Sequence, residues 1–123
     1  MSDMKVLFVD DSPTMRRIIQ NSLNKICYDD LIAAENGVDA LEKLENTEVD
    51  MIITDWNMPE MNGEQLVIKL REDPVYKDKP ILMVTTRGMK EDVITAVKIG
   101  VNGYVVKPFT PEVLKKKISD ILK

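Results

Sequence analysis

The chain has 123 residues, 44% of them hydrophobic and 31% charged, a globular composition with length enough for one hydrophobic core. Its formal net charge of −4 argues against unaided nucleic-acid binding, which needs a basic patch, and no apolar run approaches the roughly 20 residues of a membrane span. The lack of histidine and the single cysteine, Cys27, exclude histidine-based zinc sites, Ser-His and Cys-His nucleophile systems and an internal disulfide.

The opening residues lack a basic stretch followed by a long apolar one, so no secretory signal is expected, and a reducing, cytoplasmic setting is. A compact apolar run at 6–9 predicts the first strand. Met15, Ile18, Ile19, Ser22, Leu23 and Ile26 then share one face of a helix entered through Ser12 and Pro13, a capping residue followed by proline at the first helical position. A weaker run at 31–34 predicts a second strand. Ala40, Leu41 and Leu44 predict a short helix after Asn36 and Gly37. The run at 51–53 gives a third strand, and Leu66, Val67 and Leu70 a helix stopped before Pro74. The run at 81–84 gives a fourth strand, followed by a helix carrying Val93, Ile94 and Val97. The run at 104–106 gives a fifth, followed by a helix from Thr110 and Pro111 that carries Leu114, Ile118, Ile121 and Leu122.

These runs do not alternate with polar residues, as expected of strands buried on both faces of a parallel sheet. Strand and helix repeated five times predict a doubly wound α/β fold, a five-stranded parallel sheet with five helices, as a single domain over 1–123. Cys27 is expected as a small core or edge residue. Met58, Met61 and Met83 are expected to pack. Trp56 is expected to be partly exposed, and Lys115, Lys116 and Lys117 to form a solvated helix face.

In such sheets ligands bind beyond the carboxyl ends of the strands. There the sequence places Asp10 and Asp11 after the first run, Asp55 after the third, Thr85 after the fourth and Lys107 with Pro108 after the fifth. Singly each has an ordinary explanation. Asp10 and Asp11 could cap a helix, Asp55 could sit in a turn, and Thr85 and Lys107 could be structural. All of them falling at one sheet edge is a specific constellation. Two like charges about 4 Å apart repel by roughly 4 kcal/mol at an effective dielectric of 20, so the aspartates call for a cation or a raised pKa. A hard divalent ion such as Mg²⁺, with Lys107, would balance them. A metal beside a carboxylate and a lysine suits phosphoryl transfer, with Asp55 attacking phosphorus and Lys107 and Thr85 holding phosphoryl oxygens.

These residues, together with the stretches at 11–17, 55–63 and 103–110, resemble the response-regulator receiver family, and its chemotaxis members in particular, over essentially the whole chain. The resemblance implies the flavodoxin-like strand order 2-1-3-4-5, an order for which this family is a standing example. It implies that Asp55 is the phosphoacceptor, and that Asp11, Asp55 and the backbone carbonyl of Asn57 ligate Mg²⁺ with Asp10 helping through a water. It further implies that Thr85 closes on the phosphoryl group, that Tyr104 swings inward with it, and that Lys107 pairs with the phosphoryl oxygens and precedes a cis bond to Pro108. The implied output face is the fourth helix, fifth strand and fifth helix, with Val93, Val97, Tyr104 and Lys117 on it.

Three positions depart from or tune the pattern. Arg87 stands where an acid is common, and with Asn57 it is expected to govern access of water to the acyl phosphate by pairing with the phosphoryl group and shielding it. Thr86 is bulkier than the residue usual there and is expected to hinder Tyr104. A haloacid-dehalogenase-like phosphatase is disfavoured because Asn57 stands where that chemistry needs a second acid. A flavodoxin-like cofactor carrier is disfavoured because Asp10 and Asp11 would repel a phosphate. The expected protein is therefore a monomeric regulator rather than an enzyme, catalysing only its own phosphorylation and dephosphorylation. Its expected partners are a histidine kinase and the flagellar motor switch protein, with a phosphatase as a further candidate and no nucleic acid or membrane. With the chain ending at the fifth helix, output is expected through protein contact. The alternative is a phosphorelay intermediate or phosphate sink.

Overall fold

The computed structural model describes residues 4–122; residues 1–3 and 123, part of the span expected as one domain, lie outside the described residues. Five strands and five helices alternate along the chain: β1 (Lys5–Val9), α1 (Pro13–Lys25), β2 (Asp30–Ala34), α2 (Gly37–Asn46), β3 (Met51–Thr54), α3 (Gly63–Glu72), β4 (Ile81–Thr85), α4 (Lys90–Ile99), β5 (Gly103–Val106) and α5 (Pro111–Ile121). All pairings are parallel, and the order is β2-β1-β3-β4-β5. Both the doubly wound class and the strand order expected from the sequence are found.

The apolar runs work because successive side chains point to opposite faces. Val6, Phe8, Met51, Ile53, Leu82, Val84 and Val105 face one layer, where they meet Ile19 and Leu23 of α1 and Leu114 and Ile118 of α5. Leu7, Val9, Ile52, Ile81 and Met83 face the other, where they meet Ala40 of α2, Leu66, Val67 and Leu70 of α3 and Ala96 of α4. Burying one such aliphatic side chain stabilises the fold by about 1.5–3 kcal/mol.

Helix starts follow the sequence signals. Ser12 Oγ accepts the Met15 N–H at 3.2 Å with Pro13 in the first turn, and Asn36 Oδ1 accepts the Asp39 N–H at 2.9 Å. Asn62 and Gln65 form a reciprocal capping box, and Thr110 Oγ1 accepts the Val113 N–H at 3.2 Å. Among the described helices α4 alone begins, at Met89, without a side-chain cap. It ends at Gly100, whose φ of +112° is the left-handed conformation that glycine adopts without steric cost. The Arg71 side chain of α3 lies against that glycine. Its guanidinium donates to the carbonyls of Gly100, Tyr76 and Lys79 and to Asn102 Oδ1, at 2.7–3.0 Å. One side chain thus ties α3 to the connections on either side of β4 and α4.

Several expectations of burial are corrected. Cys27 is exposed, in the left-handed region at φ 74°, because α1 has ended and the chain reverses there toward β2. Ile18 and Leu122 are exposed rather than on the buried stripe; the fully buried residues of α1 are Ile19, Ser22 and Leu23, with Met15 and the following Ile26 packed beside them. On α4, Ile94 points outward and Ala96 points to the core, while Val97 is exposed, as its expected place on an output face requires.

Candidate functional site

Register brings the candidate residues together. Val9 pairs with Thr54 across β1 and β3, so the next residues, Asp10 and Asp55, leave the sheet side by side. Thr85 pairs with Val106 across β4 and β5, and the Lys107 N–H donates to the Thr85 carbonyl at 2.8 Å. The Asp55 N–H donates to the Val9 carbonyl at 2.9 Å.

Lys107 is the hub. Its ammonium donates to Asp10 Oδ2 at 2.6 Å and to Asp55 Oδ2 at 3.0 Å, with its side chain 7% exposed and those of Asp10 and Asp55 1% and 12%. Burial alone would lower the lysine's pKa, but hydrogen bonds to both aspartates and their charges outweigh it and the net shift is upward. Burial raises the Asp10 pKa; Lys107 and the Ser12 N–H act against it without reversing it. Asp10 is further fixed by the Ser12 N–H at 2.9 Å, and its carbonyl accepts from Arg16 Nη1 at 2.6 Å. Asp55 Oδ1 accepts the Trp56 N–H at 2.6 Å. The Lys107–Pro108 bond is cis, as the family resemblance implied.

Asp10, Asp11 and Asp55 each offer a carboxylate oxygen, and these lie within 4.8 Å of one another. Adjacent ligands of an octahedral Mg²⁺ stand roughly 3 Å apart, given bonds of about 2.1 Å. The all-oxygen donor set, open toward solvent at the exposed Asp11, therefore fits such an ion with small side-chain adjustment.

The remaining predicted residues divide. Thr85 is fully buried at the end of β4, and its Oγ1 accepts the Arg87 N–H at 3.3 Å. Tyr104 lies half-buried, its hydroxyl donating to the Arg87 carbonyl at 2.5 Å. Asn57 and Thr86 are exposed, as are Val97 and Lys117 on the surface of α4 and α5, while Val93 is half-buried. Trp56 is corrected: it is 3% exposed and packed among α3 and sheet residues. The Arg87 guanidinium covers its ring at 4.0 Å from the centroid. Arg87 also donates to Asp92 Oδ1 at 2.8 Å and to Asn57 Oδ1 at 3.4 Å.

Three contributors escaped the sequence reading. Asp92 engages Arg87; nothing in an acid near a helix start distinguishes a partner from a dipole-favoured charge. Arg16 holds the Asp10 backbone, again without a sequence mark. Gly63 is different. A Cβ there would fall 2.0 Å from the Asp55 carbonyl oxygen, and its N–H donates to the Trp56 carbonyl at 2.7 Å. Glycine lets α3 start directly beneath the segment that carries Asp55, and the Asn62-Gly63 pair was the available signal.

Comparison with known proteins agrees with this geometry. The profile of the response regulator receiver domain matches residues 6–119. A chemotaxis protein CheY homolog of Campylobacter jejuni is 59% identical over 120 residues, 97% of this chain and 92% of that protein. Chemotaxis protein CheY1 of Helicobacter pylori is 58% identical, with 97% of each chain covered. The structure of the chemotaxis response regulator CheY4 of Vibrio cholerae superposes with a TM-score of 0.89 at 38% identity, covering 98% of this chain and 99% of that one.

Proposed function

From the premise that the chain belongs to the response regulator receiver domain family, we propose that Asp55 accepts a phosphoryl group from a phosphohistidine on a separate kinase. The chain is a CheY-like chemotaxis response regulator. The observation that carries the site assignment is Lys107 bridging Asp10 and Asp55 beside Asp11.

In the proposed reaction an Asp55 carboxylate oxygen forms a bond to phosphorus as the bond from phosphorus to the histidine nitrogen breaks, and the electron pair leaves with the imidazole. Lys107 then faces an anion with more charge and more acceptor oxygens than the carboxylate it now contacts. Its ammonium follows the phosphoryl oxygens, and the Thr85 hydroxyl turns to donate to another. Asp10, Asp11, Asp55 and the Asn57 carbonyl would hold Mg²⁺, which supplies charge neutralisation for the transferring group. Loss of the Thr85 hydroxyl to the phosphate frees the Arg87 N–H and loosens the segment on which the Tyr104 hydroxyl rests.

The reading extends to one receiver domain over 1–123, monomeric and cytoplasmic, that catalyses no reaction but its own modification. Its target is the flagellar motor switch protein, met through α4, β5 and α5, and a phosphatase is a further partner. Exposed Met89, Val97 and Val106 give that face an apolar surface, in support of a protein contact there.

Addition of Mg²⁺ and beryllium fluoride, a phosphoryl mimic, is expected to change Trp56 fluorescence in the wild type and leave Asp55→Asn unchanged. Equal responses in the two proteins would remove Asp55 from this role.

A further inference from the structure

Arg87 is engaged through its backbone and through both terminal nitrogens of its guanidinium. Its N–H reaches the Thr85 hydroxyl and its carbonyl receives the Tyr104 hydroxyl. Its guanidinium covers Trp56 and is divided between Asn57 and Asp92. The two ends of that division are unequal. The Asp92 contact is a charge-assisted hydrogen bond of 2.8 Å. The Asn57 contact, at 3.4 Å, stands beyond the usual range for a strong bond. Asp92, in the first turn of α4 and with its side chain 16% exposed, therefore decides where the guanidinium rests.

Both Trp56 and Asn57 belong to the segment that begins with Asp55. A phosphoryl group on Asp55 would bring about −1.5 to −2 of charge and three strong acceptors to the start of that segment. The planar fork of arginine suits such oxygens better than a single carboxylate oxygen. Electrostatic reach among these groups is visible at Tyr104. Burial is the largest cause of its raised pKa, followed by the charge of Asp92, with Arg87 opposing and Asp55 adding to the shift.

We infer that Asp92 is a positioning residue that competes with the phosphoryl group on Asp55 for the guanidinium of Arg87. This rests on the reading of Asp55 as the phosphoacceptor. In the unmodified protein Asp92 holds Arg87 and so ties the start of α4 to the segment after β3. When the phosphoryl group forms, Arg87 turns to it, the tie to α4 is released, and Asp92 is left as a free carboxylate on the surface. Coupling of this kind is reciprocal. A basic group on a partner that pairs with Asp92 would favour the phosphorylated state, and a phosphorylated Asp55 would favour that partner.

The test is calorimetric titration of beryllium fluoride, with Mg²⁺ present, into the full chain and a double-mutant cycle of Asp92→Asn and Arg87→Gln. Asp92→Asn is expected to bind the mimic about two- to fivefold more tightly, the range that a partly exposed ion pair supports. In the Arg87→Gln background the same substitution is expected to change nothing. Equal tightening in both backgrounds would mean that Asp92 acts through its own charge and would overturn the competition, as would no tightening in either. Thermal unfolding without the mimic reads any purely structural effect, which would shift all affinities without the dependence on Arg87. Failure of the wild type to bind, or binding by Asp55→Asn equal to wild type, would sink the phosphoacceptor reading itself and is distinguishable from both results.

Discussion

At the scale of single residues the site is a problem of charge. Asp10 is almost fully buried and shares one ammonium with Asp55, so removing that ammonium leaves two carboxylates facing each other with no cation. A break of this kind typically costs about 3–5 kcal/mol. Lys107→Met, which keeps the length of the stem, is expected to lower Tm, and added Mg²⁺ is expected to raise Tm by more in the variant than in the wild type. Melting curves with and without the metal check this, and an identical Mg²⁺ response would contradict it. The residues of the constellation were legible in the sequence because each lies within two residues of the end of an apolar run, and strand ends are where a parallel sheet places its chemistry. Trp56, Gly63 and Asp92 were less so. Trp56 stands among polar neighbours that suggest exposure, yet it packs inward. The contact of Gly63 with Asp55 depends on how closely two backbones approach, and that of Asp92 with Arg87 on which way two side chains turn. Neither is written in spacing.

At the scale of elements the strands were read to within a residue or two, since continuous apolar runs have few other uses. The helices were read correctly in place and less well in orientation. For α4 the apolar residue Ile94 belonged to the pattern that marked the helix, but the buried contact is the small Ala96, and Ile94, like Val97, is left outside. The helix is held at its C-terminal end instead, where Arg71 of α3 grips the Gly100 carbonyl and four other acceptors. Burial lowers the pKa of that guanidinium, and the charge of Asp78 opposes the shift without reversing it. Arg71→Ala is expected to destabilise the protein by about 2–3 kcal/mol, in line with the loss of charge-assisted bonds to buried carbonyls. Arg71→Lys should recover less than half of this, because one ammonium cannot span acceptors arranged around a planar fork. Urea denaturation of the three proteins measures both values, and full recovery by lysine would show that charge alone matters.

At the scale of the whole molecule the strand order came with the family resemblance, whereas the two-layer core followed from the apolar pattern itself. Stability of that whole should fall in alkali. Tyr76 has its pKa raised chiefly by burial, and Lys107 has a net upward shift. In both cases the folded state keeps a proton that the unfolded chain releases, so their contribution is present below the unfolded pKa, about 10, and is lost as pH rises through the folded value. Tyr76→Phe is expected to flatten the decline above about pH 10, as read by urea denaturation at each pH; an unchanged slope would exclude Tyr76. The uneven anchoring of α4 has a consequence for motion. Its C-terminal end is pinned by Gly100 and Arg71, while its start has no side-chain cap and is tied to the rest by the Arg87–Asp92 pair. It should therefore open as a flap hinged at its far end, and its first-turn amides should exchange with solvent deuterium well before those of β1, β3 and β4. The helix tied to the site through Arg87 would then be one that can rearrange without opening the sheet, so that a change in charge at Asp55 can be felt at the surface while the core stays closed.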